Sequence, residues 1–153
     1  MGARVLWAGV LAGIVGGVLL EFFLVAVLVV AYREPLVPSL ISNFQFDAAG
    51  AIGKATAFSS PAYAWLGAAV HFVVSIGWAT GYAYLAQTRP QLLTQPLVSG
   101  VFYGIVVYVM MQLILLAAGL FTMPSSTGLL TQLTAHCVFF GIPVAYVVAR
   151  FMR

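Results

Sequence analysis

Residues 5–31 are uncharged except at Glu21. As a helix this stretch reaches roughly 40 Å at about 1.5 Å per residue, more than the ~30 Å of a bilayer's hydrocarbon. A backbone in lipid must satisfy its own amide groups, so a spanning segment of this kind is helical. A carboxyl at that depth is costly unless other parts of the protein supply partners for it. The run therefore sets the fold class, and Glu21 sets a requirement for the remainder of the chain.

Composition extends the same reading. Of 153 residues, 63% are hydrophobic and 6% are charged, against about 25% charged in a soluble domain. The apolar runs are continuous, unlike the alternating segments of a membrane β-barrel. Three further runs, 62–86, 96–120 and 129–150, complete an all-α membrane protein: a single transmembrane domain, 1–153, built as a four-helix bundle. The first run is longer than a secretory h-region of about 7–15 residues, so it reads as a retained helix. The net charge of +3 comes from nine scattered charges, which excludes a nucleic-acid surface. Cys137 is the single cysteine. With no phosphate loop, nucleophile motif or paired catalytic carboxylates, no catalytic residue is assigned and enzymatic activity is not expected.

Small residues recur at helical spacing. Gly9, Gly13 and Gly17 lie on one stripe of the first helix, and Glu21 continues it. Gly77 and Gly81 form a pair on the second helix. Gly100 and Gly104 lead to Tyr108 and Gln112 on the third. Such stripes let backbones approach closely, so these positions are expected to pack helix on helix. The connection after the first helix carries Arg33, Glu34, Asp47 and Lys54. Its apolar residues over 39–57 fall at helical spacing, which predicts an amphipathic helix at the membrane interface, with Asn43, Asp47 and Lys54 largely off the apolar face. Ser125 to Thr127 suit a helix N-cap, and Pro143 is expected to kink the last helix.

Charge orients the chain. With four spans, Arg4, Arg89, Arg150 and Arg153 share one side; Arg33 and Lys54 share the other with Glu34 and Asp47. The excess of arginine predicts a multi-pass protein of the plasma membrane with both termini in the cytoplasm. Counting depth from the helix ends places Glu21, His71, Gln112 and His136, one per helix, in one layer roughly 10–15 Å below the outer surface. Tyr108 and Ser75 support it. Three accounts fit such a layer. The groups satisfy one another and fix helix register; they exchange protons with the outer face; or His71, His136 and Glu21 ligate a transition metal, or the two histidines a haem. No cofactor is required by the residues. The remaining partners are the lipid bilayer and, for a small transporter, a homo-oligomer or a larger membrane complex.

His71-Phe72 with Tyr82 and Tyr84, the segment from Pro96 through Gly100, Gly104 and Tyr108 to Met110, and His136 through Gly141 and Pro143 together resemble a family of small bacterial four-helix integral membrane proteins, a domain of unknown function. One helix of that family reads roughly SGLLYGxxVYxxMN and the last reads HxxxxGxPIA. The likeness covers residues 62–153, with the first helix looser. Gln112 stands where the family often has Asn, and Glu21 where it often has Asp. The resemblance implies the fold and topology, and it brings no activity.

Overall fold

The computed structural model describes residues 2–153 and contains helices and no strands among them. Helix α1 runs Ala3–Ala31 and α2 Leu36–Ile52, followed by one turn, α3, Lys54–Ala57. Helix α4 runs Tyr63–Thr88, α5 Gln91–Thr94 and α6 Pro96–Ala117. Helix α7, Ser126–Thr134, continues through a π-helical segment, Ala135–Gly141, into α8, Ile142–Met152. Four of these units are long and apolar enough to cross a membrane: α1, α4, α6 and the continuous Ser126–Met152. The protein is a polytopic, all-α membrane bundle.

The helix ends follow local chemistry. Arg33 takes a left-handed backbone (φ 61°), and the amide of Glu34 reaches back to the Leu28 carbonyl at 3.1 Å, which closes α1 before Pro35. Gly53 (φ 79°) divides the predicted interfacial helix into α2 and α3. Gly119 (φ 69°) ends α6 before the expected boundary at residue 120. The Ser125 hydroxyl accepts from the Gly128 amide at 3.1 Å and starts α7.

Pro143 acts through the helix before it. It has no N–H to offer the Phe139 carbonyl, and the backbone over Ala135–Gly141 widens to a π-helix, with the Ile142 amide donating to Cys137. This segment carries His136.

The spans pack closely near the end that holds both termini. There the Arg4 guanidinium donates to the carbonyls of Phe151 (2.6 Å) and Arg153 (2.9 Å). The core there includes Ala8, Ala12, Ala79, Ala83, Ala86 and Ala145, all buried, with Val5, Tyr82 and Val148. A β-carbon on Gly9 or Gly13 would run into Thr80 or the Ile76 backbone of α4. One on Gly100 or Gly104 would run into the backbone of Ile142 or His136. Helices α1 and α4, and α6 and the last span, therefore meet backbone to backbone. Gly77 has no neighbour within 4 Å and Gly81 only the Tyr103 hydroxyl at 4.0 Å, so that pair makes no close helix contact.

Helix α2 does more than lie at the interface. Its Phe44 carbonyl sits over Gly67, in the space a β-carbon would need. Buried Gln45 donates to the carbonyls of Ala57 (2.9 Å) and Ser60 (3.0 Å), tying α2 to the turn before α4. Ala48, Ala49 and Ala57 form a second small core with Tyr63 and Leu120.

Candidate functional site

Between these elements, at the end away from the termini, lies a cavity of about 580 Å³. All four spans and α2 contribute to its walls. Trp78, Val107 and Phe140 lie at its deep end; Tyr32, Thr122 and Pro124 line it where α1 and α6 end and α7 begins. Helices α4 and α6 meet below it through side chains, with the Tyr103 hydroxyl donating to the Trp78 carbonyl and its ring 4.8 Å from that of Tyr82.

One wall is a linked polar group. Glu21 on α1 is only 6% exposed. Asn43 Nδ2, on α2, donates to its Oε2 at 2.8 Å, while Oε1 is buried with no hydrogen-bond partner. His71 on α4 is held at both ring nitrogens: Nε2 lies 3.1 Å from the Gly17 carbonyl and Nδ1 3.3 Å from Asp47 Oδ2. A carbonyl only accepts, so Nε2 carries hydrogen and donates to Gly17, and the Nδ1–Asp47 contact shares a further proton. Gly17 makes this possible, because its missing side chain leaves room for the imidazole, 3.3 Å from where a β-carbon would stand. The edges of Phe44 and Phe72 pack around the same ring.

The facing wall holds Gln112 and Gln132 with Tyr108 and His136. The His136 Nδ1 lies 2.8 Å from the Gln132 carbonyl one turn back, which fixes hydrogen on Nδ1 and leaves Nε2 as an acceptor. The Tyr108 ring meets this imidazole edge-on, centroids 5.6 Å apart. Ser75, buried, lies on the α4 side beside Gly17.

Glu21, His71, Gln112 and His136, with Tyr108 and Ser75, thus all line one cavity. They do not hydrogen-bond to one another. Glu21 and His71 are instead bonded to α2, and His136 to its own helix. Among the described residues, the group whose ligand atoms converge is Glu21, Asp47 and His71, all within 4.8 Å of one another. His136 is not part of it. The residues that sequence reasoning placed elsewhere are Asn43 and Asp47, read as lying off the apolar face. Their signal is the four-residue spacing that puts both on one face of α2; periodicity groups them without saying what that face meets.

Two carboxylates and an imidazole thus lie at close range beside a roomy and largely apolar chamber. No family model matches the chain, and no curated protein or solved structure matches it.

Proposed function

We propose that this multi-pass membrane protein binds a small, uncharged amphiphile in its cavity, with a head group that donates a hydrogen bond. The observation that carries the reading is the cavity itself. Its volume of about 580 Å³ falls within the range of roughly 300–1,000 Å³ usual for small-molecule sites, with apolar walls and a few polar groups facing inward. The His136 Nε2 acceptor and the amides of Gln112 and Gln132 suit a hydroxyl or amide head. The sparse contact between α4 and α6 suits entry from the lipid side. The four arginines at the end of the bundle carrying the termini, against Arg33 and Lys54 at the cavity end, support cytoplasmic termini in a plasma membrane. The likeness to small bacterial four-helix proteins supports the bacterial inner membrane. The cavity then belongs to the outer half of the bilayer.

The test uses Trp78, which lines the cavity. With Trp7 and Trp65 replaced by Phe, its fluorescence is titrated with a bromine-bearing alkylphenol in nanodiscs. Saturable quenching that Thr131→Phe abolishes is the expected result. Quenching that rises linearly with the phenol content of the lipid, equally in both proteins, refutes the reading.

A further inference from the structure

We propose that Glu21, Asp47 and His71 bind one divalent transition-metal ion, of the zinc or ferrous class, on the cavity wall. One nitrogen and two carboxylate oxygens, from three different helices, lie within 4.8 Å of one another. A zinc ion with bonds of about 2.0–2.2 Å holds its ligands about 3.4 Å apart, so side-chain shifts on the order of 1 Å complete the site.

The supporting contacts are those of a metal site. The His71 Nε2 donates to the Gly17 carbonyl, which orients the ring and leaves Nδ1 as the ligand atom. Asn43 holds Oε2 of Glu21 and so orients that carboxylate. Glu21 is the independent sign. It is buried, and its Oε1 has no partner. A cation held by this carboxylate supplies the partner that the protein leaves out.

Charge points the same way. Two carboxylates with a neutral imidazole sum to −2, which a divalent ion cancels; a protonated imidazole leaves −1 uncompensated in a medium of low dielectric. The imidazole selects against magnesium and calcium, and the two carboxylates against soft cuprous ion. Three protein ligands leave a coordination position open toward the cavity. This site stands whether or not the cavity takes the amphiphile.

The experiment is metal loading of the full chain in nanodiscs, with any affinity tag removed. The protein is stripped with chelator, incubated with Zn²⁺ or Co²⁺, and desalted. Metal per chain is measured by mass spectrometry, and the Co²⁺ form by visible absorption. The expected result is about one ion per chain, with Glu21→Gln, Asp47→Asn and His71→Ala each weakening affinity at least about 10-fold and Asn43→Ala about 10–100-fold. Cys137→Ser, at a thiol outside the converging ligand group, retains wild-type binding. Asp47 lies on α2, outside the spans, so Asp47→Asn remains decisive if Glu21→Gln fails to insert. Substoichiometric metal in the wild type overturns the proposal. So does wild-type affinity in Asp47→Asn. A loss in His136→Ala as large as that in His71→Ala also overturns it, by moving the site to the two histidines. Trp78 quenching by the alkylphenol is read on the same stripped protein, so failure of one proposal is not failure of the other.

Discussion

The two halves of the bundle are built on opposite principles. At the end holding the termini, glycine and alanine bring helices into backbone contact: Gly9 and Gly13 against α4, Gly100 against α8. The polar groups there are few, and Tyr82 finds Ser99 at 2.8 Å. At the other end the four spans part around a cavity lined with Glu21, His71, Gln112 and His136, and the close backbone approach there is that of α2 to α4 at Gly67. Here the contacts are polar and pass through α2, as Asn43 to Glu21 and Asp47 to His71. The difference shows how a small membrane protein keeps a cavity open. Lipid gives no hydrophobic drive for helices to associate, so close packing in one half must hold the bundle together while the other stays loose.

The sharpest way to break this division is at its border. Gly104 lies where α6 crosses the π-helical segment, and any side chain there meets the His136 carbonyl and the Cys137 backbone. Backbone cannot step aside as a flexible side chain can. Gly104→Leu is expected to destabilise the bundle by about 3 kcal/mol, the upper part of the usual range for overpacking. Thermal unfolding in a mild detergent measures it. A variant as stable as the wild type would show that the two spans do not meet closely there.

Gly67 tests the other half. A β-carbon on it would overlap the Phe44 carbonyl, so Gly67→Ala is expected to lift α2 from α4 at a cost of about 1–3 kcal/mol. Unlike the Gly104 variant, it separates Asn43 from Glu21 and Asp47 from His71. Hydrogen exchange is expected to accelerate over Leu36–Ile52 while α6 keeps its protection. Equal acceleration in both would mean that the halves unfold as one unit.

Asn43→Ala is a finer probe. It leaves both oxygens of a buried carboxylate without a protein donor, at an expected cost of about 1–3 kcal/mol without added metal. Adding Zn²⁺ is expected to restore less thermal stability to this variant than to wild type, because the oriented carboxylate is lost. Identical stabilisation of both proteins by Zn²⁺ would separate Asn43 from the ion.

The same contrast decides which features are legible in the amino-acid sequence. Hydrophobic length located all four spans to within a few residues, because lipid imposes one strict rule on every residue of a segment. Depth counting also gathered Glu21, His71, Gln112 and His136, since rise per residue is fixed in a helix. Two things were not legible. Which way α2 presents Asn43 and Asp47 depends on a contact across 22 residues of sequence, between Asn43 and Glu21, and a polar face looks the same whether it meets water or a buried carboxyl. The response to Pro143 was also hidden. A missing N–H is visible in sequence, but whether the helix bends or widens into a π-turn depends on how closely Gly100 and Gly104 let α6 approach.

Gly77 supplies the smallest effect and the cleanest check on the glycine argument. It shares the four-residue spacing with Gly81 that marks the packed stripes, yet no atom outside its own helix neighbourhood lies within 4 Å of where its β-carbon would be. Space alone therefore permits alanine there. Helical φ and ψ suit alanine, and replacing glycine lowers the conformational freedom of the unfolded chain. Gly77→Ala is thus expected to stabilise by about 0.4–1 kcal/mol, opposite in sign to Gly104→Leu and Gly67→Ala. Raised thermal stability in detergent would confirm that spacing by itself does not make a packing glycine; what decides is the backbone across from it. Loss of stability would mean that Gly77 does have a neighbour, and the one candidate in a membrane with no other protein is a second copy of the chain. Chemical crosslinking of the wild type and Gly77→Ala at equal protein-to-lipid ratio separates these outcomes, since only in the second does the substitution reduce a crosslinked dimer.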